Sequence, residues 1–367
     1  MFGLSIFIIF TISLLVIYRK VSHRHLFNYF IIIILFILFS LSISYRPNFI
    51  PDTYEYILVY ESVIPFSFNM GYGLLELNSG MEIGFIFLIS ILKFFRGSYQ
   101  LFFFLVTIIS TSSIVFGFFN IIKFYSSKFE KNSNFDLLII YLLYISYFGL
   151  IHNSIELRAG LSIGFSLLGI SFYINKRIFL GFSLILLSIT FHFLATLALI
   201  ALVIYRISTK YNTFFYFTLL LIFGFFLIFN SRQFISIFLI EIIESASNLI
   251  PFIELYIPYL LNSVPLAVFG FKVIFFYFLS WIFLFFKLDN VFYFKIFNIY
   301  LFGLFISIFF GNYFGIRRVS DYFLIFVILL LALINDFNFK KIYFKRILLF
   351  LVIVILHLFS LRFLTIL

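Results

Sequence analysis

Five short stretches set charged or titratable residues into an otherwise apolar sequence. The first runs from Tyr45 through Arg46, Pro47, Pro51, Asp52 and Tyr54 to Tyr56, and the second is Met81-Glu82-Ile83-Gly84-Phe85. The third is His152-Asn153-Ser154-Ile155-Glu156-Leu157-Arg158-Ala159-Gly160, and the fourth is His192 with apolar neighbours on both sides. The fifth is Gly315-Ile316-Arg317-Arg318-Val319-Ser320-Asp321-Tyr322-Phe323. A charge deep in a membrane span costs about 2.5–3.5 kcal/mol on insertion scales, so each stretch asks for a reason. Arginines near helix ends suit a phosphate or diphosphate arriving at the membrane surface. Carboxylates such as Asp52 and Glu82 suit removal of a proton from a hydroxyl. The tyrosines Tyr45, Tyr54, Tyr56, Tyr60 and Tyr72 suit stacking on sugar rings.

Each stretch also has a plainer reading. Arg46 and Asp52 could be interfacial residues beside a turn made by Pro47 and Pro51. Glu82 could be a helix N-terminal charge favoured by the macrodipole. Arg158 could snorkel or pair with Glu156, and a lone His192 could be a hydrogen-bonded packing residue. Arg317 and Arg318 fit this plain scheme worst, because they sit at the outer end of a span, against the usual charge bias. Gly160, Gly164 and Gly169 are spaced for close helix packing and carry no chemistry.

The elements that must hold these residues are membrane helices. Of 367 residues, 64% are hydrophobic and 11% charged, and the mean hydropathy is +1.21. No soluble domain hides that much apolar surface, so the excess faces lipid. Apolar runs of about 17 to 25 residues cross a hydrocarbon core as helices. Such runs lie near 2–18, 26–44, 101–122, 136–151, 158–174, 213–230, 266–286, 292–311, 318–334 and 345–363. The run 178–205 is too long for one crossing, and His192 divides it into two short helices. The expected fold is therefore all-α, one transmembrane domain over 1–367 with about 11 to 12 spanning helices. The first run is not read as a cleaved signal, since Tyr18-Arg19-Lys20 stands where small residues would be needed. No cysteine is present, so disulfides and thiolate metal sites are excluded. The net charge of +11 sits in short loops, as inward-facing basic loops require, and no basic stripe points to nucleic acid.

Charge orients the spans. Arg19, Lys20 and Arg24 place the first loop inside, so the acidic segment 45–81 lies outside. The helix expected from Glu82 to Phe95 is too short to cross and is read as interfacial or re-entrant, extending the outer segment to 45–100. The second outer segment, 231–262, carries Glu241, Glu244 and Glu254, and its prolines suggest amphipathic helices lying on the membrane. Under this topology all five polar stretches share the outer face.

Their order along the chain resembles that of the EpsG-like branch of the Wzy polysaccharide polymerases, from about Tyr45 to Phe323. The resemblance rests on Arg46 followed by Asp52-Thr53-Tyr54-Glu55-Tyr56, then on Glu82-Ile83-Gly84-Phe85. It continues through Ile155-Glu156-Leu157-Arg158-Ala159-Gly160-Leu161, Phe191-His192-Phe193-Leu194-Ala195-Thr196-Leu197 and Arg318-Val319-Ser320-Asp321-Tyr322-Phe323. The family often has Arg-Gln where this chain has Arg158-Ala159, and either Arg317 or Arg318 could match its late arginine, with Arg318 favoured.

The resemblance implies a helical glycosyltransferase of the GT-C kind in the bacterial inner membrane, with its active site facing the periplasm. Its substrates would be an undecaprenyl-diphosphate-linked polysaccharide as donor and a lipid-linked repeat unit, as for O-antigen or lipopolysaccharide, as acceptor. Membrane lipids and a chain-length regulator protein are further implied partners; no cofactor, no metal and no nucleic acid are. Arg158 and Arg318, together with Arg317, would bind the diphosphate, and Asp52 or Glu82 would be the base, with His192 a second polar contact or the base instead. Arg46, Tyr54, Tyr56 and Tyr322 would contact sugar. The competing class is a transporter or flippase of lipid-linked oligosaccharides, but residues 1–180 and 181–367 show no internal correspondence of the kind such folds commonly carry.

Overall fold

The computed structural model describes residues 25–66, 81–128, 137–209, 213–229, 270–285, 290–310, 314–335 and 342–366. The first expected span, the segment 231–262 and residues 67–80, with Tyr72, lie outside the described residues. Among the described residues regular structure is helical throughout, and the molecule is a polytopic all-α membrane protein.

In chain order the helices are α1 (His25–Ser44), α2 (Thr53–Ser62), α3 (Ile83–Phe94), α4 (Tyr99–Lys128), α5 (Leu137–Ser146), α6 (Phe148–Ser154), α7 (Leu157–Ile174) and α8 (Ile178–Phe191). A 3₁₀ turn at Phe193–Thr196 leads into α9 (Leu197–Ile207), followed by α10 (Thr213–Phe229), α11 (Phe271–Phe285), α12 (Val291–Phe310), α13 (Phe314–Leu324), α14 (Val327–Asn335) and α15 (Ile342–Ile366). By length and apolarity α4, α7 and α12 each can cross a bilayer alone, and α5 with α6 forms a fourth candidate bent by 60°. Shorter apolar helices occupy the other described spans.

Two sequence boundaries moved. The run 136–151 is divided at Tyr147. The run 318–334 is divided at Ile325 and Phe326, where the amide of Phe326 bonds back three residues to Phe323 and that of Ile328 three residues to Ile325. These tighter 3₁₀-type bonds carry backbone pairing across the interruption. The break at His192 falls where the sequence placed it.

The contacts sort the chain into two compact units, Met1–Leu199 with Asn335–Leu367, and Ile200–Ile334. In the first, α7 packs along α4 and α8, α1 along α4, and α15 along α5. Small residues set these distances. A Cβ on Gly164 would lie 3.0 Å from the Ser110 carbonyl on α4, and one on Gly169 would lie 2.7 Å from the Gly181 carbonyl on α8. Residues 137–157, covering α5, α6 and the turn into α7, are buried without a break. An apolar cluster joins Tyr56, Ile57 and Tyr60 of α2 with Phe85 and Ile89 of α3, and with Phe102, Phe103, Leu157 and Phe191 beneath them. Lys93 clasps the end of α2, donating to the carbonyls of Tyr60, Glu61 and Val63 at 2.9, 2.9 and 2.6 Å.

The second unit packs α10, α11 and α12 together, with α13 along α12. Its aromatic side chains satisfy helix carbonyls: Tyr293 donates to Phe283 at 2.8 Å and Tyr277 to Leu220 at 3.1 Å. A Cβ on Gly303 would lie 2.6 Å from that of Phe323, which brings α13 close against α12.

Candidate functional site

The first unit gathers residues from four of the five polar stretches. α1 ends at Ser44, and Pro47 holds the following residues out of the helix, so Arg46 turns inward. Its Nη1 donates to the Asn153 carbonyl at 2.8 Å, and its guanidinium lies over the Phe103 ring at 4.1 Å and the Tyr56 ring at 5.8 Å. Arg46 is only 5% exposed. Burial brings its guanidinium down to about 10, with Tyr56 and Asp52 acting the other way, so it stays cationic at neutral pH.

Asp52 precedes α2 with φ 61° and ψ −8°, a left-handed conformation that costs a non-glycine residue about 1–3 kcal/mol. Aspartate tolerates it better than most residues, and the side chain makes no capping bond to α2. Four residues on, Tyr56 points into the apolar cluster, 3% exposed, and its hydroxyl meets the Arg158 guanidinium in a hydrogen bond. Burial raises the Tyr56 hydroxyl above its ordinary range, opposed by Arg158.

Glu82 stands at the head of α3, and Arg158 in the first turn of α7. Arg158 Nη1 donates to Glu82 Oε2 at 2.5 Å, with both side chains 23% exposed. This corrects the possible pairing of Arg158 with Glu156. Glu156 stands before α7 with a non-helical backbone and lies 3.2 Å from Nδ1 of the buried His152, while Arg158 in the first turn reaches Glu82. Gly84 explains how Glu82 arrives: a Cβ there would lie 2.4 Å from Thr190 Oγ1 and 2.7 Å from the Thr190 carbonyl, so α3 can touch the end of α8 only with glycine at this position.

The same contact brings Glu82 Oε1 to 3.6 Å from His192 Nδ1 and 3.4 Å from the Phe193 amide. His192 caps the 3₁₀ turn, its Nδ1 accepting the Leu194 amide at 3.2 Å. An amide must donate, so Nδ1 holds a lone pair and the neutral ring carries its proton on Nε2.

Behind these groups lies a residue that sequence reasoning missed. The Asn153 side chain accepts from Ser110 and donates to Thr111 at 3.3 Å and Tyr144 at 3.1 Å, while its carbonyl takes Arg46. One polar residue thus ties α4, α5, α6 and the Arg46 loop together. Its position in a polar run inside an apolar stretch was the available signal.

Of the sugar-contact candidates in this unit, Tyr54 is 60% exposed, as Tyr45 is at 73%, whereas Arg46 and Tyr56 are buried. In the second unit Arg318 is half-buried on α13, Tyr322 is buried, and the side chain of Arg317 lies outside the described residues. Asp321 on the same helix is ion-paired with Lys272 Nζ of α11, both nearly buried. Lys272 was also missed, although a lysine inside the run 266–286 marked it. Among the described residues no group of three or more histidine and carboxylate side chains gathers as a metal site would need.

The profile of the EpsG family matches residues 28–366, and the chain belongs to that family, one of membrane-embedded polysaccharide polymerases of glycosyltransferase type. No curated protein and no solved structure matches the chain.

Proposed function

We propose that this protein is an O-antigen-type polysaccharide polymerase that moves a growing glycan from undecaprenyl diphosphate to a lipid-linked repeat unit on the periplasmic face of the inner membrane. The observation that carries this reading is the cluster of Arg46, Asp52, Tyr56, Glu82, Arg158 and His192. It sets cations and carboxylates side by side where membrane helices begin and end.

In the reaction the acceptor hydroxyl attacks the anomeric carbon of the donor. Asp52 takes the hydroxyl proton, the new C–O bond forms, and the bond from the anomeric carbon to the diphosphate oxygen breaks with inversion. Two neighbours are less suited to act as base. Glu82 is engaged by Arg158 and the Phe193 amide, and the lone pair on His192 Nδ1 is taken by the Leu194 amide. The strained backbone at Asp52 is of the kind concentrated at functional sites. Arg158 stabilises the charge that develops on the departing diphosphate, work done elsewhere by a divalent cation, which makes a metal-independent reaction reasonable. Glu82 and His192 then position Arg158 and the turn beside it. Tyr54, exposed beside Asp52, contacts sugar.

The test is complementation of a strain lacking its own polymerase, supplied with the matching repeat unit, at matched membrane abundance. Wild type should give a ladder of polymer lengths, and Arg158→Ala and Asp52→Asn should leave single repeat units. Normal ladders from both variants would remove the site assignment. No ladder from wild type, with single repeat units delivered to the periplasmic side in a strain that also lacks its own flippase, would favour a flippase.

A further inference from the structure

The sequence reading gave Arg46 and Tyr56 to sugar, yet neither presents a surface on which a sugar ring could lie. Arg46 has a different peculiarity. Its Nη1 is bonded, but Nε and Nη2 are buried without a hydrogen-bond partner among the described residues, and so is Nε of Arg158. Buried donors are seldom left in this state, and an ordered water or a bound ion is what commonly completes them. A guanidinium asks more strongly, because its bonds to an anion are about twice as strong as neutral ones.

The two arginines share a neighbour. The Tyr56 hydroxyl bonds to Arg158, and the Arg46 guanidinium lies 5.8 Å from the centre of the same ring. Arg158 keeps 23% of its side chain exposed while Arg46 keeps 5% of its surface. An anion arriving at Arg158 therefore meets Arg46 as the deeper donor. Arg46 is held for this purpose: its Nη1 is fixed on Asn153, whose own side chain is bound from three sides. That anchor leaves one edge of the fork, Nε with Nη2, for a pair of oxygens.

We infer that Arg46, Arg158 and the Tyr56 hydroxyl form a single grip on the oxygens of a diphosphate, with Arg46 taking the inner phosphate edge and Arg158 the outer. This rests on the proposed use of a lipid diphosphate and moves Arg46 and Tyr56 from the sugar to that group. The same phosphate chemistry is offered by an anionic phospholipid headgroup, so the two sources must be told apart.

The experiment uses the purified full chain in neutral detergent and follows thermal unfolding with inorganic pyrophosphate, orthophosphate, sulfate or phosphatidylglycerol. Wild type should be protected by pyrophosphate in preference to orthophosphate and sulfate. Loss of one charge-assisted contact should weaken pyrophosphate binding by about tenfold or more in Arg46→Gln and in Arg158→Gln. Arg46→Lys, which keeps the charge and loses the fork, should fall between, and Tyr56→Phe should weaken binding less than either while preserving the buried ring. Should Arg46→Gln prevent folding, Arg46→Lys and Tyr56→Phe decide the matter: wild-type affinity in both would overturn the grip. Loss in Arg158→Gln with full binding in the Arg46 variants would remove Arg46 alone and leave the proposed diphosphate site in place. Protection by phosphatidylglycerol with none by pyrophosphate would identify a headgroup site and overturn the diphosphate.

Discussion

Two buried charge clusters, one in each unit, use similar residues to different ends. Lys272 and Asp321 form a closed pair, their side chains 8% and 7% exposed, joining α11 to α13. The Arg158–Glu82 pair keeps 23% of each side chain open and is one link in a chain running from the Phe193 amide to Arg46. A closed pair in low dielectric balances two desolvation costs against one attraction and holds helices in place. An open pair leaves part of each charge within reach of a bound group, as the proposed function requires. The aspartate in the Arg318-Val319-Ser320-Asp321 stretch belongs to the first kind.

Removing either partner of the closed pair should have the largest effect. Lys272→Met leaves Asp321 buried without its cation and should cost about 3–5 kcal/mol, read as lost membrane abundance and earlier thermal unfolding. Lys272→Met with Asp321→Leu should recover most of that loss. If the single variant is as stable as wild type, the contrast between the clusters disappears. Next comes Gly84→Val, which inserts a branched side chain where Thr190 stands and should cost about 1–3 kcal/mol. Its activity should fall further than its stability, because Glu82 and His192 are drawn apart; a proportionate fall in both would mean that α3 serves only packing. In the open pair, Glu82→Gln should change stability by less than about 1 kcal/mol, since partly exposed pairs contribute little, while altering kcat through the Arg158 position. The smallest effect belongs to Tyr54→Ala, expected to raise KM for the repeat unit a few-fold with kcat unchanged, measured by initial rates against acceptor concentration.

Much of this arrangement was legible in the sequence, for a physical reason. Charge is costly in a membrane helix, so Arg46, Asp52, Glu82, Arg158 and His192 stand out against their surroundings. The helix break at His192 showed as an apolar run too long for one crossing. The pairings were not legible. Arg158 finds a glutamate 76 residues away, and Arg46 a carbonyl 107 residues away. Such partners are chosen by helix packing, through contacts like Gly84 on Thr190, which no spacing along the chain encodes. Asn153 and Lys272 were passed over because an amide and a solitary lysine look incidental until their neighbours are known. The break at Ile325 had no proline or glycine beside it to announce it, and Gly149, two residues past the bend at Tyr147, was not read as its signal.

The most direct test of the central claim is reconstitution of the purified chain in proteoliposomes with a matching repeat unit on undecaprenyl diphosphate. Wild type should build a ladder and release one undecaprenyl diphosphate for each linkage formed, while Asp52→Asn and Arg158→Ala, folded and inserted, should be at least about 100-fold slower, a loss of about 3 kcal/mol of transition-state stabilisation. A wild-type protein inert on its matching substrate, or variants that polymerise at the normal rate, would contradict it.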